Sequence, residues 1–215
     1  MQKLKGLLKA AHFGPTLIVT AISFGFGTYY WWEGPAYVIA FGVFTGQLVV
    51  GWSNDLYDFD DDLKHQRAKK PLVSGLITKQ YLQKWLRFMV PFSFVANLLG
   101  PLGIKGGSVY MLGIAFGVAY NFYFKFSILS PLPYAIAFAA LPSSVALSKE
   151  INPPMWMLLG GALFGMAAHF INVIKDMDQD QASGIKGLPQ RLGKVQSIAA
   201  AAVLIALGIL ALLTL

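Results

Sequence analysis

The chain has no cysteine among its 215 residues, so it can form no disulfide and offers no thiolate as a nucleophile or metal ligand. Charge is also scarce: charged residues make up 13% of the chain, whereas about a quarter is usual for a soluble domain. Hydrophobic residues reach 56% and the mean hydropathy is +0.57. These values exclude an ordinary soluble domain and indicate a membrane protein with several spans.

The sequence contains several long segments without charged residues. A transmembrane helix needs about 20 mostly apolar residues. Seven stretches qualify: 13–32, 36–53, 85–104, 108–125, 131–148, 155–174 and 195–215. None shows the two-residue alternation of a barrel strand, and helices satisfy their own backbone in lipid. The sequence therefore predicts an all-α, polytopic transmembrane bundle that forms a single domain over 1–215.

The basic residues are distributed unevenly about these predicted spans. All but Lys105 and Lys149 of the 17 lysines and arginines fall on one side, which the positive-inside bias makes cytoplasmic. Two longer connections, 54–84 and 175–194, lie on that side and hold most of the ten acids. This bias, together with attraction to anionic lipid, explains the net charge of +7 without a nucleic-acid partner. We therefore expect an integral, multi-pass protein with both acidic loops in the cytoplasm.

The first acidic segment, NDLYDFDDD, directly follows the second apolar run. If the second helix continues through it, Asp55, Asp58 and Asp62 fall on one face, since a helix turns by about 100° per residue. Asp60 and Asp61 point elsewhere, where solvation would be sufficient. The spacing therefore predicts three carboxylates in one stripe at the end of a span.

The second acidic segment lies within INVIKDMDQDQASG, after the sixth predicted span. Asp176 and Asp180 are four residues apart on one helical face, with Asn172 one turn earlier, while Asp178 points away. Crowded carboxylates repel one another unless a cation neutralises them. A hard divalent ion with oxygen ligands is the natural candidate.

Several kinds of cation site can be compared with these two segments. A calcium loop of the EF-hand type needs Gly at its sixth position and Glu at its twelfth, and loops that begin at Asp58 or Asp176 have neither. An ion pathway would place acids within the spans. Magnesium that bridges carboxylates to phosphate oxygens suits the pattern better. Nearby bases would neutralise the remaining phosphate charge; they are Arg67, Lys69, Lys70 and Lys125. The alternative is two solvated helix ends with no site.

Three segments carry a family resemblance: NDLYDFDDD with the KKPLVSGLIT that follows it, AYNFYFKFS, and DMDQDQASGIKGLPQRLG. The first resembles the motif N-D-x-x-D-x-x-x-D with a basic-Pro-Leu-x-x-Gly continuation. The second resembles a Tyr-and-Lys segment at the end of a fourth span. The third resembles D-x-x-x-D followed by Gly, Leu-Pro and Arg-Leu-Gly. In this order and in these places, over nearly the whole chain, they resemble the UbiA superfamily of intramembrane prenyltransferases.

The resemblance implies helices around a cavity open to the bilayer, and magnesium-dependent transfer of a prenyl group from an allylic prenyl diphosphate. The acceptor could be an aromatic compound or another small or lipidic molecule. The implied Mg²⁺ ligands are Asn54, Asp55, Asp58, Asp62, Asp176 and Asp180. The expected substrate-binding residues are Asn54, Arg67, Lys70, Lys125 and Asn172. The expected catalytic residues are Asp58, Asp62, Asp180, Lys125 and Tyr120. Tyr57 or Phe122 would shelter the cation.

Some alternatives remain open from the sequence. His12 would either contact the acceptor or lie at the membrane interface, and His169 would be either a proton acceptor or a packed, hydrogen-bonded histidine. Family members usually have nine spans, so a chain that ends at Leu215, inside the seventh, is expected to be a short variant or to lack two spans. The rival function is a non-catalytic membrane protein that binds or transports divalent cations, phospholipids or a polyprenyl lipid.

Overall fold

The computed structural model describes residues 2–215, and that range contains helices and turns but no strand. Over these residues the α-helices are α1 Gln2–Ala10, α2 Phe13–Tyr30, α3 Glu33–Lys64, α4 Lys79–Leu98, α5 Gly103–Phe122, α6 Leu132–Leu147, α7 Gly161–Ala182, α8 Leu188–Leu192 and α9 Lys194–Thr214. A 3₁₀ turn follows α5 at Phe124–Phe126, and a π-helical turn at Trp156–Gly160 leads into α7. The predicted all-α class is confirmed.

Each predicted span overlaps a helix, but 85–104 runs past the end of α4 at Leu98 into the start of α5, because the turn between these helices is itself apolar. By length and hydropathy, three helices in the described part of the chain could cross a membrane: Glu33–Lys64, Trp156–Ala182 and Lys194–Thr214. A fourth qualifies if the bent pair of α1 and α2 is counted as one span. The count of seven spans stays a prediction, and so does the single domain.

The chain before the first predicted span forms a helix of its own. α1 lies at 70° to α2, and the break falls at His12, whose backbone is left-handed with φ 50°. Trp52 fixes α1 against α3, because its indole Nε1 donates to the carbonyl of Leu7 at 2.9 Å. The corner residue His12 is thereby brought to the end of α3 that carries the first acidic segment.

Helix α3 is central to the packing. Within residues 2–215 it packs on α2, α4 and α5, whereas α7 packs on α6 and α9 and not extensively on α3. Close approach of α6 and α7 depends on Gly165, where a Cβ would lie 2.3 Å from the carbonyl oxygen of Tyr134. The main core cluster comprises Ile39, Val43, Val49, Leu102, Tyr110, Met111, Ile114, Leu141 and Val145. The two acid-bearing helix ends therefore belong to different parts of the bundle.

Candidate active site

The first acidic segment is helical throughout, because α3 continues to Lys64. Asn54 Nδ2 donates to Asp58 Oδ2, one turn further on, at 3.0 Å. It also lies 3.1 Å from the side-chain oxygen of Asn121 on α5. Asn121 Nδ2 in turn donates to Ser53 Oγ at 3.1 Å. Side-chain amides thus join the ends of α3 and α5 beside Asp58.

Asp55 and Asp62 are almost fully buried, at 2% and 1% exposure. Lys70 Nζ donates to Asp55 Oδ1 at 2.7 Å and lies 3.7 Å from Asp62 Oδ2, so the two carboxylates share a face as the spacing predicts. Burial alone would lower the pKa of Lys70, but the charge and hydrogen bond of Asp55 raise it above its ordinary value. The segment that follows α3 is therefore held back against the helix end by a buried ion pair.

Lys125 reaches the same helix end from α5. It lies in the 3₁₀ turn after α5, is 5% exposed, and its ammonium donates to Asp58 Oδ1. The ammonium also lies over the ring of Tyr57, 4.9 Å from its centroid. Asp180 of the second segment is close enough for the charge of Lys125 to act on its carboxyl group. Lys125 is therefore bound to the first acidic segment and lies near the second.

The second acidic segment ends α7. Asp180 is partly buried and accepts a hydrogen bond from Gln190 Nε2 at 2.8 Å. Asp176 is exposed and lies near Asp180, as expected for residues four apart in a helix. Asp178 is also exposed. Asp176 and Asp180 are thus brought to the side of the bundle where Asp58 and Lys125 meet.

Arg67 lies between the two segments. Its Nη1 donates to Asp62 Oδ1 at 2.6 Å, and its Nη2 donates to Ser183 Oγ, just beyond α7, also at 2.6 Å. The expected bases Arg67, Lys70 and Lys125 are therefore all at the site, each bound to an aspartate of the first segment. Lys69 is exposed and shows no such contact within residues 2–215.

Deeper in the bundle, aromatic and polar side chains face one another between α5, α6 and α7. The ring of Tyr120 meets that of Tyr134 edge-on at 5.3 Å, and Asn172 lies beside the Tyr134 hydroxyl. Tyr120 also lies near Asp58 and Asp180, whose negative charges act on its hydroxyl group. Asn172 is exposed although it lies well inside α7, so it faces open space. This arrangement provides a partly polar, ring-lined surface beneath the carboxylates.

His169 is buried at 1% exposure, and its Nε2 lies 3.0 Å from Ser130 Oγ, which also accepts the backbone N–H of Leu188. Its ring packs 4.8 Å from that of Tyr134. Of the two interpretations from the sequence, the structure matches the packed, hydrogen-bonded histidine.

His12 is closer to the carboxylates than the sequence indicated. Its Nε2 lies 3.1 Å from Asn54 Oδ1 and 3.6 Å from Asp55 Oδ1, while 45% of its side chain is exposed. An interhelical hydrogen bond was expected of Asn121, and the structure confirms it. Sequence reasoning missed Ser183 and Gln190, and it assigned Asp61 to solvent although that carboxylate accepts a hydrogen bond from Ser183. Helical spacing could not reveal these contacts, because each joins different secondary-structure elements.

Of the two aromatic residues expected to shelter the cation, Tyr57 lies under the ammonium of Lys125. Tyr57 and Phe122 meet edge-on at 4.9 Å and line an open groove of about 550 Å³ between α3, α4 and α5. Arg87 and Gln83 line the same groove from α4. The rings of Tyr120 and Tyr134 form a second aromatic pair, between α5 and α6.

The donor set can be compared with the needs of a metal ion. No group of three or more His, Asp or Glu side chains in the described part of the chain is close enough to hold one. Magnesium does not require such a cage, because it keeps several waters and is usually held by one or two carboxylates plus substrate phosphates. The site offers carboxylate and amide oxygens, and Asp55 Oδ2 is buried without a hydrogen-bond partner among residues 2–215. The donors therefore fit magnesium that binds together with a phosphate ligand.

Comparison with known proteins places this geometry in context. The model of the UbiA prenyltransferase family matches residues 12–215. No curated protein matches the chain. A UbiA homolog from Archaeoglobus fulgidus, solved bound to DMAPP and Mg²⁺, has a TM-score of 0.79 at 16% identity; the match covers 96% of this chain and 76% of that one. The same homolog bound to GPP and Mg²⁺ gives the same values.

A second protein has the same fold. A structure described for digeranylgeranylglyceryl phosphate synthase in membranes has a TM-score of 0.72 at 20% identity, with 98% of this chain and 76% of that chain covered. At such identities the structural likeness shows a shared helical fold.

Proposed function

The chain belongs to the UbiA prenyltransferase family, and on that premise we propose that it transfers a prenyl group from an allylic prenyl diphosphate to an acceptor nucleophile within the membrane, with Mg²⁺ as cofactor. The observation that carries the proposal is the convergence of two acidic helix ends with three bases. Arg67 contacts both ends, while Lys125 binds Asp58 and is within electrostatic range of Asp180. Carboxylates and cations interleaved in this way suit a metal-bound diphosphate.

The residues proposed to hold magnesium are oxygen donors of the two acidic helix ends: Asn54, Asp58, Asp176 and Asp180. Bound there, the ion supplies Lewis-acid stabilisation of the negative charge on the leaving diphosphate. Asp55 and Asp62 stay proposed as further ligands, and Asp55 Oδ2 has no hydrogen-bond partner among residues 2–215. The same two carboxylates also bind Lys70 and Arg67, so we propose that they hold these two bases at the site as well.

The proposed chemistry begins when the allylic C–O bond breaks and its electron pair passes to the diphosphate oxygen. Lys125 and Arg67 stabilise that charge, since hydrogen bonds between ionised partners are the stronger kind. The aromatic faces of Tyr120 and Tyr134 lie below the carboxylates, where they can stabilise an allylic cation and limit its contact with water. Asn172, beside Tyr134, is placed to orient a polar group of the acceptor.

The experiment is a thermal-shift assay on detergent-purified protein with geranylgeranyl diphosphate, in the presence and absence of magnesium. Asp58→Ala and Asp180→Ala test the two segments, and Asp60→Ala and Asp178→Ala are matched controls, because both control residues are exposed. At a ligand concentration of 100 Kd, linkage adds about 2.7 kcal/mol to the stability of the wild type. We expect magnesium-dependent stabilisation in the wild type and both controls, and its loss in both test variants.

Ligand binding must then lead to catalysis. We expect diphosphate release when aromatic and lipidic acceptors are supplied to the wild type with magnesium. Stabilisation that survives in one of the two test variants would favour the non-catalytic binding protein, because a shared diphosphate site requires both clusters.

A further inference from the structure

We call the gap between the C-terminal ends of α3 and α7 the mouth of the proposed site. Few side-chain contacts cross it. Helices α3 and α7 pack on different neighbours. Within residues 2–215, the side-chain hydrogen bonds between the connections 54–84 and 175–194 all involve Arg67 or Ser183. These contacts join positions 112, 116 and 122 residues apart in the chain.

Ser183 uses both hydrogen-bonding functions of its hydroxyl. Its Oγ accepts from Arg67 Nη2 at 2.6 Å and donates to Asp61 Oδ2 at 2.7 Å. The residue follows the last turn of α7, where its backbone N–H bonds to carbonyls of that turn and Gly184 continues in a left-handed conformation with φ 73°. The position of Ser183 is therefore tied to the helix end that carries Asp180.

Arg67 is oriented from both sides by these contacts. Its Nη1 donates to the buried Asp62, and its Nη2 lies 3.5 Å from Asp61 Oδ2 as well as donating to Ser183. A guanidinium has five donors in a fixed plane, so two anchoring bonds set its orientation and leave other N–H groups free. Without Ser183, Arg67 would keep its charge and its short bond to Asp62, but within residues 2–215 its Nη2 would keep only longer contacts, with the Gln179 carbonyl oxygen at 3.4 Å and Asp61 Oδ2 at 3.5 Å. Its direction would then be less well fixed.

We propose that Asp61 and Ser183 are positioning residues that hold Arg67 across the site mouth and fix the second acidic segment relative to the first. The inference rests on the proposed function, since Arg67 is the group that meets the diphosphate. Ser183 and Asp61 act through Arg67 and need not touch the substrate. A fixed guanidinium binds phosphate oxygens without first losing rotational freedom, so the arrangement increases affinity for the diphosphate.

The test measures the Kd of geranyl diphosphate with magnesium by calorimetry on the full chain in detergent. Ser183→Ala removes both hydrogen bonds, whereas Ser183→Thr keeps a hydroxyl. Asp61→Ala removes the partner of Ser183, and Asp60→Ala is its exposed neighbour and control. We expect about a tenfold weaker Kd for Ser183→Ala and for Asp61→Ala, as for loss of one hydrogen bond to a charged group. Ser183→Thr and Asp60→Ala should bind like the wild type.

Two further measurements separate positioning from general stability. The ligand-free melting temperature of each variant should stay close to that of Asp60→Ala. The Ser183→Ala/Asp61→Ala double variant should lose little more affinity than either single variant, because both act through one arginine.

The possible failures can be told apart. If the wild type shows no magnesium-dependent binding, the proposed function fails. If the wild type binds and Ser183→Ala binds equally well, the positioning role is overturned. Tighter binding by Ser183→Ala would also overturn it, because the contact would then compete with phosphate for Arg67.

Discussion

The ion pair between Lys70 and Asp55 should be decisive for stability, because it compensates a carboxylate within the helical bundle. Lys70→Met removes the ammonium but keeps a flexible apolar stem of similar length. Asp55 is 2% exposed, and the one basic side chain it would retain within 4 Å among residues 2–215 is that of His12, at 3.6 Å. A charge left without its partner in such a place is costly.

The magnitude follows from burial. Breaking a buried ion pair from one side costs about 3–5 kcal/mol. The side chain of Lys70 is 24% exposed, so water compensates part of the loss and the lower end of this range applies. For a chain of this size each kcal/mol lowers Tm by roughly 2–4 °C. A loss of about 3 kcal/mol thus corresponds to a Tm lowered by about 6–12 °C.

The assay compares ligand-free melting in detergent for Lys70→Met and Lys69→Met. Lys69 is the adjacent, exposed lysine, so its substitution removes the same charge from the same segment without unpairing Asp55. We expect Lys69→Met to melt within about 2 °C of the wild type, as surface substitutions usually do. The double variant Asp55→Asn/Lys70→Met should recover much of the lost stability, because it leaves no unpaired charge.

Equal melting temperatures for Lys70→Met and Lys69→Met would show that the Lys70–Asp55 ion pair does not stabilise the fold. The raised pKa of Lys70 would then have no counterpart in stability, and Lys70 would serve only to bind ligand. In that case the effect of Lys70→Met would appear only when a prenyl diphosphate is present.

Two other substitutions test the packing and the site. Gly165→Ala should lower the free energy of unfolding by about 1–3 kcal/mol, because its Cβ would lie 2.3 Å from the Tyr134 carbonyl oxygen. Gly25→Ala is the control: no described atom lies within 4 Å of its Cβ, so the substitution should be neutral or slightly stabilising. Equal melting temperatures for these two variants would contradict the close approach of α6 and α7. The second test concerns ligand binding: Lys125→Met should abolish the magnesium-dependent thermal shift with geranylgeranyl diphosphate, whereas the exposed Lys186→Met should keep it. A normal shift in Lys125→Met would remove Lys125 from the proposed site.

Part of the site followed from helical spacing. Asp55 and Asp62 are seven residues apart, and a helix that continues past the apolar run must place them on one face. Lys70 contacts both, which confirms the shared face. Spacing did not show that the two carboxylates would be buried against bases, because the path of the segment that follows α3 depends on tertiary packing.

Other parts of the site depend on contacts between distant segments. His12 lies 42 residues before Asn54, and its position depends on the 70° corner between α1 and α2. In the sequence nothing distinguishes Ser183 from any other residue that follows a helix. Its hydrogen bonds to Arg67 and Asp61 form because the ends of α3 and α7 lie close together. Asp61 was assigned to solvent for the same reason, since helical periodicity describes only one helix at a time.

Hydropathy, spacing and motifs in the sequence were sufficient to predict the helical class, the two acidic segments and the family resemblance. Hydropathy and side-chain spacing are local properties, and lipid leaves a spanning chain few alternatives to a helix. Packing between distant segments determines which carboxylates are buried with bases, and it brings Arg67 and Ser183 together between the ends of α3 and α7. Those outcomes depend on which helix ends meet, and that is set by packing among residues far apart in the chain.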